Sequence, residues 1–478
     1  MKKKVTNEKE NGRIYTPDYI VKNILDLSGY QGAEILGKHI IDNSCGNGAF
    51  LREIVRRYCQ AALDRGHTAD SIARQLSTYV HGIEIDRKEH EDCMKKGTAE
   101  AENYGITGVS WDIRCGDATA ITDYNGRMDY VVGNPPYVRV HNLGDSFENV
   151  KSFSFAQNGM TDLYIVFFEL GLRMLNDSGI LGYITPSSYF NSVAGAYMRE
   201  YFIDRNLLKA VVDLKHFQAF HATTYTAITI LANNRQSRTV DYYAYDAEQH
   251  QPRYVDTLTP EDYKTGTVYS FASRAELRVL REISDNIGES DIAVKNGYAT
   301  LCDKVFVREF DFESPHIIPV VKSSRGKWER IVYPYDTRGK LLEESDLQKD
   351  EKLYQYLLSN KETLLDRSNE SENWYAFGRS QAIGDTYRDK LSVNTLIRGA
   401  EDLKCVEVPA GTGVYSGLYV VSDSVPLYAI ADALKTEEFA NYVSLLGKYK
   451  SGGYYTFSSK DVKKYLNYKF AYDRGLLC

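Results

Sequence analysis

Short apolar runs alternating with segments that are apolar at helical spacing constrain this chain more than any other feature. HIIDNS (39–44), YVHGIEID (79–86), WDIRCGDA (111–118) and MDYVVGNPPYV (128–138) each read as a buried strand ending in a polar or glycine-rich tip. FLREIVRRYCQAAL follows the first with helical periodicity, and LYIVFFELGLRML (163–175) is too long for one strand and reads as a buried helix. GILGYITPSSY (179–189), LKAVVDLK (208–215) and TYTAITILAN (224–233) return to strand character. This alternation predicts an α/β fold with a mostly parallel sheet and helices on both faces.

The second half differs. Asn233-Asn234-Arg235-Gln236-Ser237 is polar and reads as the seam, dividing a first domain (1–240) from a second (241–478). Beyond it lie Tyr-rich short strands, DYYAY (241–245), RIVYPYD (330–336) and GVYSGLYVVS (413–422), among helical segments at 273–283 and 346–360. An α+β domain is expected there.

Lys and Arg number 58 against 65 Asp and Glu, a net charge of −7, which excludes a uniformly basic coat but not a basic cleft. Seven scattered cysteines with no CxxC pair predict reduced thiols and neither a disulfide framework nor a zinc site. The start, MKKKVTNEKENGR, lacks the apolar core of a secretory signal, and no run reaches the ~20 apolar residues of a membrane helix. A cytoplasmic protein without membrane contact is therefore expected.

In an open α/β sheet, ligands bind outside the carboxyl ends of the strands. The first predicted strand ends at Asp42 and opens into Ser44-Cys45-Gly46-Asn47-Gly48, a glycine-rich turn that lets backbone approach a ligand. The second ends in Glu84, whose carboxylate can accept from two ribose hydroxyls, and the third in Gly116-Asp117, able to accept from an exocyclic amine. The fourth ends in Asn134-Pro135-Pro136-Tyr137. Each has a plainer explanation alone, as a turn or a solvated acid, but together they suit one elongated ligand.

These segments resemble the motif set of S-adenosyl-L-methionine-dependent amino-methyltransferases, in the gamma order of bacterial adenine-N6 DNA methyltransferases of restriction–modification systems, the TaqI type. DNSCGNGAF resembles the cofactor loop, GIEID the ribose motif, GDA the adenine motif and NPPY the catalytic motif. GRIYTPDYIVKNIL (12–25) resembles the motif beside the methionine end of the cofactor, and FQAFHATTYTAITI (217–230) the last one, with Phe220 matching its aromatic. Looser matches at 293–307, 315–324, 330–336 and 374–381 resemble the family's specificity domain; 337–370 matches nothing.

The resemblance implies a Rossmann-like methyltransferase domain followed by an α+β DNA target-recognition domain, with S-adenosyl-L-methionine as cofactor and double-stranded DNA as partner. Thr16, Asp42, Ser44, Gly46, Gly48, Glu84, Asp117 and Asn134 are the expected cofactor contacts, with no metal. Asn134, Pro135, Pro136, Tyr137 and Phe220 form the expected catalytic set. The Asn134 amide oxygen and the Pro135 carbonyl would each accept one N6–H bond, localising the nitrogen lone pair toward the methyl donor by position alone. Tyr137 and Phe220 would stack on the extruded base, with Phe217 competing for the second place. A Thr-Pro helix start capped by its hydroxyl is equally good physics for Thr16 and Pro17.

Arg139, His141 and a polar loop at 141–161, expected to be mobile before substrate arrives, are candidate DNA contacts, as are Lys322, Arg325, Lys327, Arg330 and Arg379. The rivals are a methyltransferase acting on protein glutamine or RNA, cytosine-N4 transfer, and a catalytically silent DNA-recognition subunit. The roughly 240 residues after Asn234 favour a DNA reader, and intact Asp42, Glu84, Asp117 and NPPY argue against decay. Few residues precede the first motif and no PD…(D/E)xK set is evident, so any cognate restriction endonuclease is expected to be a separate polypeptide and this chain a monomer.

Overall fold

The computed structural model divides the chain into two compact units, Met1–Leu277 and Arg278–Cys478. It describes residues 15–140, 147–157, 161–220, 224–286, 288–367 and 373–471.

The first unit is built on nine strands: β1 (Ile40–Asp42), β2 (Val80–Glu84), β3 (Asp112–Cys115), β4 (Met128–Gly133), β5 (Leu175–Pro186), β6 (Leu208–Asp213), β7 (Thr226–Ala232), β8 (Val240–Asp246) and β9 (Gln251–Leu258). They lie in the order β3-β2-β1-β4-β5-β7-β6-β8-β9. β3, β2, β1, β4 and β5 are parallel neighbours, and β6 pairs parallel with β8; only β7 and β9 run the other way. The mostly parallel sheet expected from the alternating runs is present.

Among the described residues, the helices around it include α1 (Asp18–Ser28), α2 (Ala49–Asp64), α3 (Ala69–Tyr79), α4 (Arg87–Glu102), α5 (Phe147–Val150), α6 (Leu163–Met174) and α7 (Ala196–Asp204). Strand side chains alternate between faces, and β5 shows both faces covered. A methyl at Gly182 would meet Ser28 and Ile24 of α1, whereas one at Gly171 of α6 would meet Leu181 and Tyr183. Burial on both sides explains why β1 and β7 are buried throughout and are mostly apolar.

The polar run 233–237 does not end this unit. Asn233 and Asn234 donate to the carbonyls of Asn176 and Asp177 at 2.8 and 2.5 Å, and Arg235 donates to Leu208 and Thr239. The segment is thus the turn between β7 and β8, which extend the same sheet, and the compact unit continues from the expected 240 to Leu277. Polar composition alone cannot distinguish such a turn from a linker.

The second unit is α+β, as expected. Ala293–Asn296, Leu418–Val421, Lys390–Val393 and Cys405–Val408 form a four-stranded sheet; Lys327–Val332, Ile317–Lys322 and Gly413–Tyr415 form a three-stranded one. The run 413–422, expected as one strand, is two strands in different sheets. The break falls at Ser416, which has φ +55°, and at Gly417, where a methyl would lie 2.3 Å from Ser323 Cβ. The helical segment at 346–360 is likewise split into Glu344–Leu347 and Glu351–Ser359, because Asp350 caps the second by accepting from Leu353 N.

Candidate active site

β1 sits at the centre of the parallel strands and ends at Asp42, which is 1 % exposed. The chain then turns through Ser44–Gly48 into α2. Gly46 and Gly48 have φ of +49° and +86°, and a methyl at Gly48 would meet Cys93 of α4 at 3.1 Å, so glycine is needed there for conformation and clearance. The turn is tied to β2: Cys45 N donates to Ile83 O at 2.9 Å and Gly46 N to Glu84 Oε2 at 2.8 Å. Glu84 Oε1 also accepts from Asp86 N at 2.8 Å. Glu84 therefore braces the loop with both oxygens while retaining further lone pairs. Asp117 similarly caps the short turn Ala118–Ala120, accepting from Thr119 N and Oγ1 at 2.9 and 2.7 Å.

β4 delivers Asn134-Pro135-Pro136-Tyr137 to the same edge. Its last residue, Gly133, is pressed against β1: a methyl there would lie 2.8 Å from Asp42 Oδ1 and 3.4 Å from Ser44 Oγ. Asn134 Nδ2 donates to Thr16 Oγ1 at 3.2 Å. The hydroxyl-capped start expected for Thr-Pro is absent, since Pro17 holds the cap position of α1 with no side-chain cap bond and the Thr16 hydroxyl is turned to Asn134. Tyr137 donates its hydroxyl to Ile184 O at 3.3 Å, and its ring meets Phe220 and Tyr164 edge to face, each at 6.3 Å between centroids. The Tyr137–Phe220 angle of 74° is not a parallel slot, so a flat ring entering between them requires one to turn. Phe217 is engaged elsewhere, against Tyr19, Tyr245 and His250.

Two polar groups at this edge are electrostatically costly. Burial pushes the Asp42 carboxyl up to about 8, opposed by the bond from Ser44 N and reinforced by Glu84. Ser44 Oγ is buried and has no hydrogen-bond partner among the described residues. Sequence reading passed over Gly133, whose signal was its place directly before NPPY. It also passed over Ile85, an apolar side chain 66 % exposed beside Glu84.

The neck of the 141–161 loop is a short antiparallel bridge: Val140 N donates to Thr161 O at 3.0 Å and Leu163 N to Val138 O at 2.7 Å. Arg139 is exposed on this neck, and His141 lies outside the described residues. Residues 141–146 and 158–160 of the loop lie outside the described residues, and part of the remainder is packed against the first unit. Val150, Phe153 and Phe155 are buried, and Phe155 N donates to Glu169 at 2.8 Å. The remaining candidate DNA contacts belong to the second unit. Arg330 pairs with Glu313 at 2.6 Å, Lys327 lies 3.8 Å from Glu329, and Lys322 stands over the Tyr415 ring. Arg379 donates its backbone N–H to Ala299 O. Arg325 begins the turn before Gly326, donating its N–H to Lys322 O. Among the described residues no helix is long and apolar enough to cross a membrane.

The model of the Eco57I restriction-modification methylase family matches residues 55–220. The type II methyltransferase M.BstVI of Geobacillus stearothermophilus is 24 % identical over 76 % of this chain and 73 % of its own length. M.PaeR7I of Pseudomonas aeruginosa is 25 % identical over 95 % and 85 %. Among solved structures, the Type IIL restriction-modification enzyme MmeI in complex with DNA is similar in fold, with a TM-score of 0.58 at 11 % identity, covering 92 % of this chain and 63 % of that one. A methyltransferase-type sheet carrying these motifs at its carboxyl edge, with relatives of this kind spanning most of its length, makes the chain an S-adenosyl-L-methionine-dependent DNA methyltransferase of the restriction–modification type, similar over about a third of its length to the Eco57I methylases.

Proposed function

We propose that this chain methylates the N6 amine of an adenine turned out of double-stranded DNA, with catalysis in the first unit and target recognition in the second. The observation that carries the reading is the position of Asn134-Pro135-Pro136-Tyr137 at the tip of β4, next to Asp42 and Ser44 and joined to Thr16.

The residues at the edge fit the cofactor. Ser44 Oγ is a buried hydroxyl awaiting a partner, Ile85 offers an apolar surface for a nucleoside base, and Glu84 and Asp117 keep acceptor capacity for ribose and amine. Thr16, Asp42, Gly46, Gly48 and Asn134 complete the set. S-adenosyl-L-methionine supplies an electrophilic methyl group on a sulfonium. Asn134 and the Pro135 carbonyl each accept one hydrogen bond from the target amine, holding its lone pair toward that methyl. Thr16 holds the plane of the Asn134 amide, and Pro136 stiffens the corner. Tyr137, anchored through its hydroxyl to Ile184 O, supplies the ring on which the base stacks. Stacking of this kind is worth roughly 1–3 kcal/mol per base, comparable with the cost of extrusion. Phe220 turns from its edge-to-face contact to cover the other side.

The protein is read as a cytoplasmic monomer whose cognate restriction endonuclease is a separate chain. Transfer of tritium from labelled cofactor to plasmid DNA, followed by nucleoside separation, tests the reaction. Label in N6-methyl-2′-deoxyadenosine is expected; label in N4-methyl-2′-deoxycytidine, or in added protein or RNA but not DNA, overturns it.

A further inference from the structure

The second unit holds a hollow of about 340 Å³ on one face of its three-stranded sheet. Register determines what points into it. Lys322 is paired with Lys327 on one side and with Tyr415 on the other, so these three side chains form one row across the sheet. Val320 and Glu329 are paired in the next row on the same face. Lys304 and Arg308 wall the far side.

Three carboxylates share the hollow with these four cations: Asp303, which accepts from Thr300, Glu309, and Glu329, which alone of the three stands in the sheet beside Lys322 and Lys327. Glu329 receives the Tyr415 hydroxyl on Oε2, and Tyr415 is only 3 % exposed, so the carboxylate is held from beneath by a buried phenol. Among the described residues its other oxygen has only the loose Lys327 contact at 3.8 Å. Arg330, one residue on, points to the opposite face and is held by both oxygens of Glu313 at 2.6 and 3.2 Å. The basic side chains suit phosphates. A carboxylate aimed into the same hollow repels phosphate but accepts from the exocyclic amine of cytosine or adenine on a major-groove edge.

We infer that Glu329, backed by Tyr415 and flanked by Lys322 and Lys327, reads one base pair of the DNA target through such an amine. The inference rests on the second unit being the target reader. It excludes Arg330 from direct readout in its paired state and makes Tyr415 a positioning residue.

The test is single-molecule sequencing of plasmid DNA methylated by the full-length protein, its Glu329→Gln and Glu329→Lys variants, and Tyr415→Phe. Glu329→Gln, nearly isosteric, is expected to relax discrimination by roughly 10–100-fold at one position of the motif, leaving the others unchanged. Glu329→Lys exchanges an acceptor for a donor and should transfer preference at that position to a base presenting acceptors, guanine or thymine. Tyr415→Phe should relax the same position by less. An unchanged motif in both Glu329 variants overturns the inference, as does a uniform fall in methylation at all sites with the motif intact. If Glu329→Lys does not fold, Glu329→Gln alone decides. Absence of methylated adenine with the unaltered protein would refute the reaction proposed above and is read separately.

Discussion

The two edges of the nine-stranded sheet use similar polar residues to opposite ends. At the amino edge, His39 Nδ1 and His81 Nε2 are 2.9 Å apart, His81 Nδ1 meets Asp112 at 2.8 Å, and Tyr124 donates to the other Asp112 oxygen at 3.0 Å. Asp129 accepts from His39 N and Asn176. These groups satisfy one another. At the carboxyl edge, Asp42 is buried against its interest and Ser44 Oγ is left without a partner among the described residues. Buried polar groups normally pair, so an edge that leaves them strained or open is organised for something that arrives from outside.

Titration sharpens the contrast. Burial lowers the pKa of His39 and His81, so the unfolded chain takes up protons that the folded one refuses, and this edge loses stability as pH falls through the ordinary histidine range. Asp42 moves the other way. With its value raised to about 8, the folded chain keeps a proton that the unfolded chain has released, so this edge loses stability as pH rises from the ordinary carboxylate value toward 8.

Asn134→Ala is the strongest attempt to break the comparison. Methyl transfer should fall roughly 10²–10³-fold, as for loss of one transition-state hydrogen-bonding group, while cofactor affinity by calorimetry falls far less, because Asn134 is one of eight proposed cofactor contacts; a loss of affinity as large as the loss of rate would remove Asn134 from the catalytic role. His81→Ala should do the reverse, costing about 1–3 kcal/mol in denaturant unfolding because His39 and Asp112 lose their shared partner, with kcat unchanged in the folded enzyme. A drop in kcat would mean the edges are coupled. Gly133→Ala should cost about 1–3 kcal/mol by overpacking against Asp42 and also weaken cofactor binding, a combination the amino edge cannot produce. Asp42→Asn should change the slope of stability against pH between about 4 and 8 by up to about 1.4 kcal/mol per pH unit; parallel curves would show Asp42 ionised in the folded protein. The smallest effect is Ser44→Ala, expected to leave thermal stability unchanged, since no internal bond is lost, and to weaken only cofactor binding.

Much of the carboxyl edge was legible because its chemistry is contiguous in the chain. A strand, its tip and the following turn lie within a dozen residues in CGNGAF, GIEID and NPPY, so local pattern places each group at a strand end. The Thr16–Asn134 bond joins residues 118 positions apart and has no local signal. Nor does the clearance at Gly133, which depends on β1 lying beside β4. The amino-edge network went unread for the same reason: His39, His81 and Asp112 meet only through the parallel register of β1, β2 and β3.

The second unit shows where pattern fails. GVYSGLYVVS is one β-run by composition, yet its halves pair with different sheets, and the 233–237 segment has a linker's composition but a turn's hydrogen bonds. What the amino-acid order determined by itself is the alternation that demands a parallel sheet and the residue types at the strand tips, because both are set by period and by neighbours along the chain. Tertiary structure alone decided which tips touch, which acids double as braces, where the compact unit ends and which face of the 317–332 hairpin collects Lys322, Lys327 and Glu329. Those outcomes follow from strand order and register, and a one-residue shift of either would turn every side chain to the other face.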